Sequence, residues 1–455
     1  MQNADKPGQV FRGTPEAEEA RRVHERGLPP RSGKEAVEII SAQWLRELCM
    51  RHGVDDVGFV EVSRPGLGQE GENARFMMPE AKTMISLVRK INKMATRVPA
   101  RTPADVTWKL TTNKLDEIAA ELCSELDRHG IRANSAPTGF PLELAPSPGK
   151  GFWLISHKIV ATEAGMGHMG VNRNVIHPEF GNFILLETII IDRELDEYNK
   201  PLDYNPCFDC NLCVAACPVN AIHKDEDFDF FACMGHNYHE FPQMTADWVE
   251  TLTAEGGPAA YRAKFRREET IVIAQGLEFN PTYRSGYCVA VCPAGDEHIG
   301  DYLADPAKHR QQTLMTLRKY PEPVYVTSGT RAEQRALRNP YKWIRYIDFK
   351  PDLSTPANFA LGLRHMFKSP GPDAPRRVVS FRFPDGTVTA VLAKGKLSAT
   401  TEPAQEVADA VVTTESVNYI TILHKHLKER MRHESATITV DGDAAAFEQL
   451  IACLD

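Results

Sequence analysis

The stretch Cys207-Phe-Asp-Cys210-Asn-Leu-Cys213-Val-Ala-Ala-Cys217-Pro218 decides how this chain is read. Three cysteines at two-residue gaps let one short loop set thiolates around the corners of a single inorganic core. The fourth, turned away at the start of a helix, serves a second core, and the proline ends the run. Zinc sites instead use two Cys-x2-Cys pairs divided by a longer spacer. The spacing therefore predicts iron–sulfur chemistry and a chain built to move electrons.

A second core needs a reciprocal set of ligands, and Cys233, Cys288 and Cys292-Pro293 supply it. By reciprocity the first cluster takes Cys207, Cys210, Cys213 and Cys292, and the second takes Cys217, Cys233 and Cys288. The residue three positions before Cys288 is Ser285, whose oxygen binds iron less softly than a thiolate. Two [4Fe–4S] cubanes are expected, the second with a serine ligand or an open site, or else as a [3Fe–4S] cluster. Cys49, Cys123 and Cys453 lie beside Leu and Ile on amphipathic patterns and read as buried, inert thiols. A disulfide framework would spread its cysteines through a small secreted domain; here seven of ten fall between 207 and 292.

With 455 residues, two or three domains are expected. An apolar fraction of 42% and a charged fraction of 25% are those of an ordinary globular protein. The 53 basic against 61 acidic residues give a net charge of −8, which argues against a nucleic-acid partner and against docking on an anionic membrane. No apolar run reaches the roughly 18–20 residues of a bilayer span. Arg21-Arg22 is followed by Val-His-Glu-Arg-Gly rather than the apolar stretch an export signal requires. A cytoplasmic location is expected, with residues 1–33 as an N-terminal arm.

Working outward, residues 34–50 carry a helical stripe through Val37, Ile40, Trp44, Leu45 and Leu48. Strand patterns follow at Val57–Val62 and Met84–Val88, with a Gly-rich loop between them to about residue 75. Leu115, Ile118, Ala119, Leu122 and Leu126 form a second helical face, closed by Gly130. A helix is read at 156–164 and a buried strand at 181–191, giving an α/β or α+β core over 34–200. The cysteine region occupies 201–320, a helical, charged stretch runs to about 350, and 321–375 reads as a linker region ending in a proline-rich piece. Residues 376–455 form a small α+β unit of their own. Its hairpin spans 377–383 and 387–392, with strands near 410–413 and 436–440 and a final helix at 444–454.

Gly165, Gly167 and Gly170 fit GxGxxG spacing, but a helix rather than a strand precedes them, so they are no dinucleotide fingerprint. They serve either a structural turn or contact with a large flat ligand.

The Cys207–Pro218 motif, the single Cys233 and Cys288-x3-Cys292-Pro293 together resemble the corrinoid-dependent epoxyqueuosine reductases and reductive dehalogenases. Upstream, Ala161-x2-Ala164-Gly-Met-Gly-His-Met-Gly170 is similar to the glycine-rich stretch that those enzymes place against cobalamin. The resemblance covers roughly 35–320. It implies a nitroreductase-like core holding cobalamin, followed by a ferredoxin-like domain that feeds it electrons. It also implies an outside electron donor such as a ferredoxin, a flavodoxin or a flavoprotein reductase, and a small organic substrate. Residues 376–455 resemble sterol carrier protein domains through the hairpin, Thr413-Thr414 and Thr439-Val-Asp-Gly-Asp443. Such a domain holds a lipid in an apolar tunnel, or serves here as a packing or dimerisation module.

This chain departs from the pattern at Asn134-Ser135-Ala136-Pro137, where epoxyqueuosine reductases carry an acid before Ser-Ala-Pro; an amide cannot act as a general acid. Tyr238, His157 and Lys158 are the candidate proton donors, and Tyr238 has a second reading as a hydrogen-bond donor to a cluster sulfur. Gly165, Gly167, Gly170 and His168 are the candidate corrinoid contacts, His168 as a ligand to cobalt. The expected function is a reductase that uses two iron–sulfur clusters to reduce a bound cobalamin acting on an organic substrate, dehalogenase-like. The alternative is a corrinoid-free electron-transfer protein or redox sensor.

Overall fold

The structure is a computed structural model that describes residues 39–141, 153–207, 210–224, 228–240, 244–253, 256–279, 286–347, 356–384, 386–402, 406–413 and 439–454. The fold is α+β, as expected. Its first sheet has strands β1 (Asp56–Glu61), β2 (Thr83–Lys90), β3 (Ala133–Ala136) and β4 (Ile184–Ile191) in the order β1-β2-β4-β3. All neighbouring pairs are antiparallel, with Thr83 and Ala133 both opposite Ile191.

β4 is an almost unbroken apolar run because helices cover both of its faces. Ile189 and Ile191 pack into one core with Leu115, Ile118, Leu122 and Leu126 of a long helix, while Ile184, Leu186 and Ile190 enter a second core with Val160 and Ala161. That long helix and the others are α1 (Ala42–Arg51), α2 (Gln69–Met77), α3 (Arg101–Arg128) and α4 (His157–Glu163). The four α3 side chains are fully buried, each stabilising the fold by about 1.5–3 kcal/mol. Gly130 follows α3 at φ 75°, the left-handed turn read from the sequence.

Several expectations are corrected. The first helix is shorter: Ile40 lies in a strand pair opposite Leu195, and α1 begins after Ser41, whose hydroxyl accepts from Trp44 N. Residues 34–38 lie outside the described residues. The stretch read as a Gly-rich loop contains α2. Gly71 lets α2 approach β1, since a Cβ there would sit 2.6 Å from Val62 O, and Glu70 accepts from Ser156 N at 2.9 Å. The stretch read as helical to about 350 contains a parallel pair, β5 (Pro323–Val326) and β6 (Trp343–Tyr346).

The cysteine region holds the short helices α5 (Leu212–Ala216), α6 (Phe230–Asn237) and α7 (Tyr287–Ala290). The stretch read as a linker contains α8 (Pro356–Met366), which buries Phe359 and Leu363. It packs on the C-terminal sheet, made of β7 (Arg377–Phe383), β8 (Gly386–Ala393), β9 (Lys396–Thr400), β10 (Ala410–Thr413) and β11 (Thr439–Gly442) in the order β9-β8-β7-β10-β11. β7 runs parallel to β10, and the other pairs are antiparallel. Helix α9 (Ala444–Ala452) closes the same core, which also takes in Phe231 from α6. Thr414 and the expected helix after it lie outside the described residues. No helix among the described residues is long and apolar enough to cross a membrane.

Candidate iron–sulfur centre and adjoining cavity

The cysteine loops are too short to hold themselves. α5 and α7 have five and four residues, far below the roughly 12–15 at which an isolated helix persists in water. Two arginines clamp them from outside. Arg97 donates to Ala290 O at 3.0 Å and Cys292 O at 3.3 Å, and Arg335 donates to Ala215 O at 2.6 Å and Cys217 O at 3.3 Å. The second loop docks on the core where Asp296 N meets Pro178 O at 2.8 Å. Gly181, at φ 62°, faces Ala294 O there with no room for a side chain.

All ten cysteines are free. Cys213 and Cys292 each feel the charge of Cys207 and Cys210 and of one another or of Cys288, while Cys233 and Cys288 feel Cys217. The seven thiols thus lie close to one another, with Cys288 near Cys213 and Cys292 as well as near Cys217 and Cys233. Ser285 lies outside the described residues.

Burial, the largest cause at each, favours the protonated form of Cys207, Cys213, Cys217, Cys233, Cys288 and Cys292. Burial pushes Cys292 up to about 12 and Cys288 to about 11, and raises Cys213, Cys217 and Cys233. Thiols crowded in this way ionise together only around cations, and several are already met by N–H donors. Ala221 N donates to Cys217 Sγ at 3.2 Å, joined by Val219 and Ile222. Asn174 Nδ2 donates to Cys288 Sγ at 3.9 Å. Such donors suit sulfur ligated to iron. Among the described residues no His, Cys, Asp or Glu group converges as a single ion requires; a cubane spaces its ligands around its corners, farther apart than one ion would. The donor set fits two clusters.

Beside these thiols lies a cavity of about 770 Å³, large for a small-molecule site. Cys217, Cys233 and Cys288 form part of its wall, and α3, α4 and β4 of the core form the facing part through Trp108, His157, Lys158 and Leu185. Tyr238 also lines it, its ring 6.4 Å from that of Trp153.

The three candidate proton donors therefore share one cavity but not one state. His157 has both nitrogens engaged, Nε2 with Pro137 O at 2.9 Å and Nδ1 with Thr188 Oγ1 at 2.9 Å. A carbonyl can only accept, so Nε2 carries the proton and Nδ1 accepts from the threonine. Burial lowers the His157 pKa and keeps the ring neutral. Lys158 retains accessible surface, and that surface opens on the cavity; Nζ donates to Arg173 O at 2.8 Å and Asn174 Oδ1 at 3.0 Å. Desolvation by the surrounding walls lowers its pKa, offset in part by Cys288 and Cys233.

The glycines behave differently from the expected corrinoid contacts. Gly165, Gly167, His168 and Gly170 do not line the cavity; Met169 and the following Asn172–Val175 do. A Cβ on Gly165 would meet Lys200 O at 2.6 Å, and one on Gly170 would meet Asn172 Oδ1 at 2.9 Å. They permit a tight turn that presents the asparagines. His168 pairs with Ile176 across a two-residue strand pair behind the wall. Sequence reasoning missed Trp108, Thr138 and Leu361, which line the cavity from three separate segments. Only Trp108 left a trace, as a large aromatic on the polar end of a helix.

No protein-family model matches the chain. An epoxyqueuosine reductase from Cyclobacterium marinum is 34% identical over 87 residues, 19% of this chain and 28% of that protein. The chain spans less than a third of the length of the first curated relatives it matches, at 28%, 30% and 30%. Among solved structures, an epoxyqueuosine reductase with an epoxyqueuosine-modified tRNA-Tyr stem loop gives a TM-score of 0.29 at 17% identity, over 44% of this chain and 60% of that one. A reductive dehalogenase, described with a mechanism for B12-dependent dehalogenation, gives 0.36 at 14%, over 57% and 40%. Net charge sums over the whole surface and does not exclude a local basic face. The relatives this chain resembles are reductases.

Proposed function

We propose that this chain is a reductase in which Cys207, Cys210, Cys213 and Cys292 hold one iron–sulfur cluster and Cys217, Cys233 and Cys288 a second. The second cluster would deliver electrons to a corrinoid in the adjoining cavity. The observation that carries this reading is the shared wall: the three cysteines of the second set line the same cavity as His157, Lys158 and Tyr238. A corrinoid bound there would supply a metal that is both a strong reductant and a nucleophile. The chain's own residues do the rest. Asn172 and Asn174 line the cavity, and Asn182 Nδ2 and Asn172 Nδ2 hold the Cys288 carbonyl at 3.3 and 3.4 Å. Lys158 and Tyr238 are the groups placed to give a proton, and doubly bonded His157 orients the wall.

For the substrate, the named relatives favour an epoxide carried on a modified tRNA nucleoside. A small organic molecule is the second reading, favoured by the apolar residues Trp108, Trp153, Leu185 and Leu361 around the cavity. The C-terminal sheet is read as a packing module, since Phe359 lies 4.9 Å from Phe381 and 5.0 Å from Phe383 inside it.

The test is anaerobic purification with added corrinoid, followed by iron counting and an absorption spectrum. Roughly eight irons per chain, as two cubanes require, with near-stoichiometric corrinoid bands support the proposal. Zinc alone sinks it, and full iron without corrinoid leaves an electron-transfer protein. Reduction of an epoxyqueuosine-bearing stem loop, against a halogenated phenol, separates the substrates.

A further inference from the structure

β4 carries one charged side chain into the core. Glu187 is fully buried, and among the described residues its Oε1 has no hydrogen-bond partner. Its Oε2 lies 3.0 Å from the Thr138 hydroxyl. Thr138 also touches Asp116 of α3: its backbone N–H donates to Asp116 Oδ1 at 2.9 Å, and its hydroxyl faces the same carboxyl. Thr138 is itself part of the cavity wall, as is Thr112, one turn before Asp116 on α3.

A hydroxyl has one proton to give. It can satisfy one carboxylate as donor, so the second carboxyl must approach it as a donor and therefore be protonated. The partner count selects which. Asp116 already receives an N–H and keeps the charge at less cost, whereas ionised Glu187 would leave one oxygen bare inside the core. We propose that Asp116 and Glu187, bridged by the Thr138 hydroxyl, form a carboxyl pair that stores one proton behind the cavity and releases it through Thr138. In the step, Glu187 gives its proton to Thr138 Oγ1, and the threonine passes its own hydrogen to a basic group or water in the cavity. Bulk water refills the pair, and no electron moves.

Among the described residues, the other titratable group facing Glu187 is Cys123 of α3, a thiol pushed up to about 11 by burial and therefore neutral. His157 hydrogen-bonds Thr188, which points to the opposite face of β4. Burial first, and then the Asp116 charge, raise the Glu187 carboxyl to about 8. The use made of the proton rests on the reductase reading; the pair itself does not.

Infrared spectroscopy of the full iron-loaded chain tests this without turnover. Wild type is expected to keep the C=O band of a protonated carboxyl past neutral pH and to lose it near pH 8. E187Q should lack the band, and D116N should keep it with a lower midpoint because the repelling charge is gone. On transfer into D2O the band should shift at least tenfold more slowly in T138V than in wild type. Absence of the band in wild type at pH 7, or its survival in E187Q, overturns the pair. Equal exchange in T138V overturns the route. Missing corrinoid would defeat the reductase reading alone, and these bands would still report.

Discussion

The antiparallel sheet and the cysteine loops beside it are held by opposite means. The sheet is closed by two layers of apolar side chains, with Leu45, Val57, Leu87, Leu122 and Ile189 fully buried. The loops have helices of one turn, a few arginine clamps and a set of thiols that repel one another. One region carries its cohesion in its own side chains. The other leaves a place where an inorganic core would supply it.

Removing iron is therefore the largest perturbation expected. Anaerobic chelation should abolish hydrogen-exchange protection over the loops around 207–217 and 287–292 while β2 and β4 remain protected; simultaneous loss in both regions would break the contrast. Metal-dependent small domains lose essentially all their folding energy in this way.

Truncating the sheet's cover should do the reverse. Leu122→Ala is expected to destabilise the core by about 2–5 kcal/mol in denaturant unfolding, with iron content unchanged. A fall in iron to match would show that the two regions are one cooperative unit.

A pH effect comes next. The Glu187 carboxyl is raised to about 8 in the fold. Between its unfolded pKa and that value the folded chain binds the extra proton, so stability is greatest below the unfolded pKa and falls as pH rises toward 8. The slope is at most about 1.4 kcal/mol per pH unit for one proton. E187Q should flatten it and should be the more stable protein at pH 8; a slope of the opposite sign would contradict the assignment.

The smallest effect sharpens the comparison. Gly130 has a positive φ and open space around its missing side chain. Gly130→Ala should cost about 1–2 kcal/mol from backbone strain alone. A shift in melting temperature with unaltered cluster absorbance checks it.

The clustering of the cysteines and the sheet's main strands were legible because each obeys a local rule: fixed thiol spacing, period-two alternation, or the i, i+3, i+4 stripe of α3. β3 was not, since Ala133-Asn-Ser-Ala136 has no strand preference and exists because it borrows the edge of β4. α2 was hidden by Gly66, Gly68 and Gly71, which read as loop residues until Val62 O is seen against Gly71. The glycine run was legible as a turn, but the cavity is lined by Asn172 and Asn174 just after it. Glu187 vanished inside Ile-Leu-Leu-Glu-Thr-Ile-Ile-Ile, where a lone acid looks like the solvent side of a strand. Only the packing of α3 on one face of β4 and of α4 on the other reveals that neither face meets water.

Helix α6 carries Phe231 into the aromatic interior of the C-terminal sheet and Cys233, two residues on, to the cavity wall. Asp229, at its start, lies 3.6 Å from His365 of α8. Among the described residues, α6 thus ties the C-terminal core to the cavity wall. Deleting everything beyond residue 355 would strip Phe231 of its socket and loosen the helix that carries Cys233, so a trimmed chain would lose order in the part that is kept.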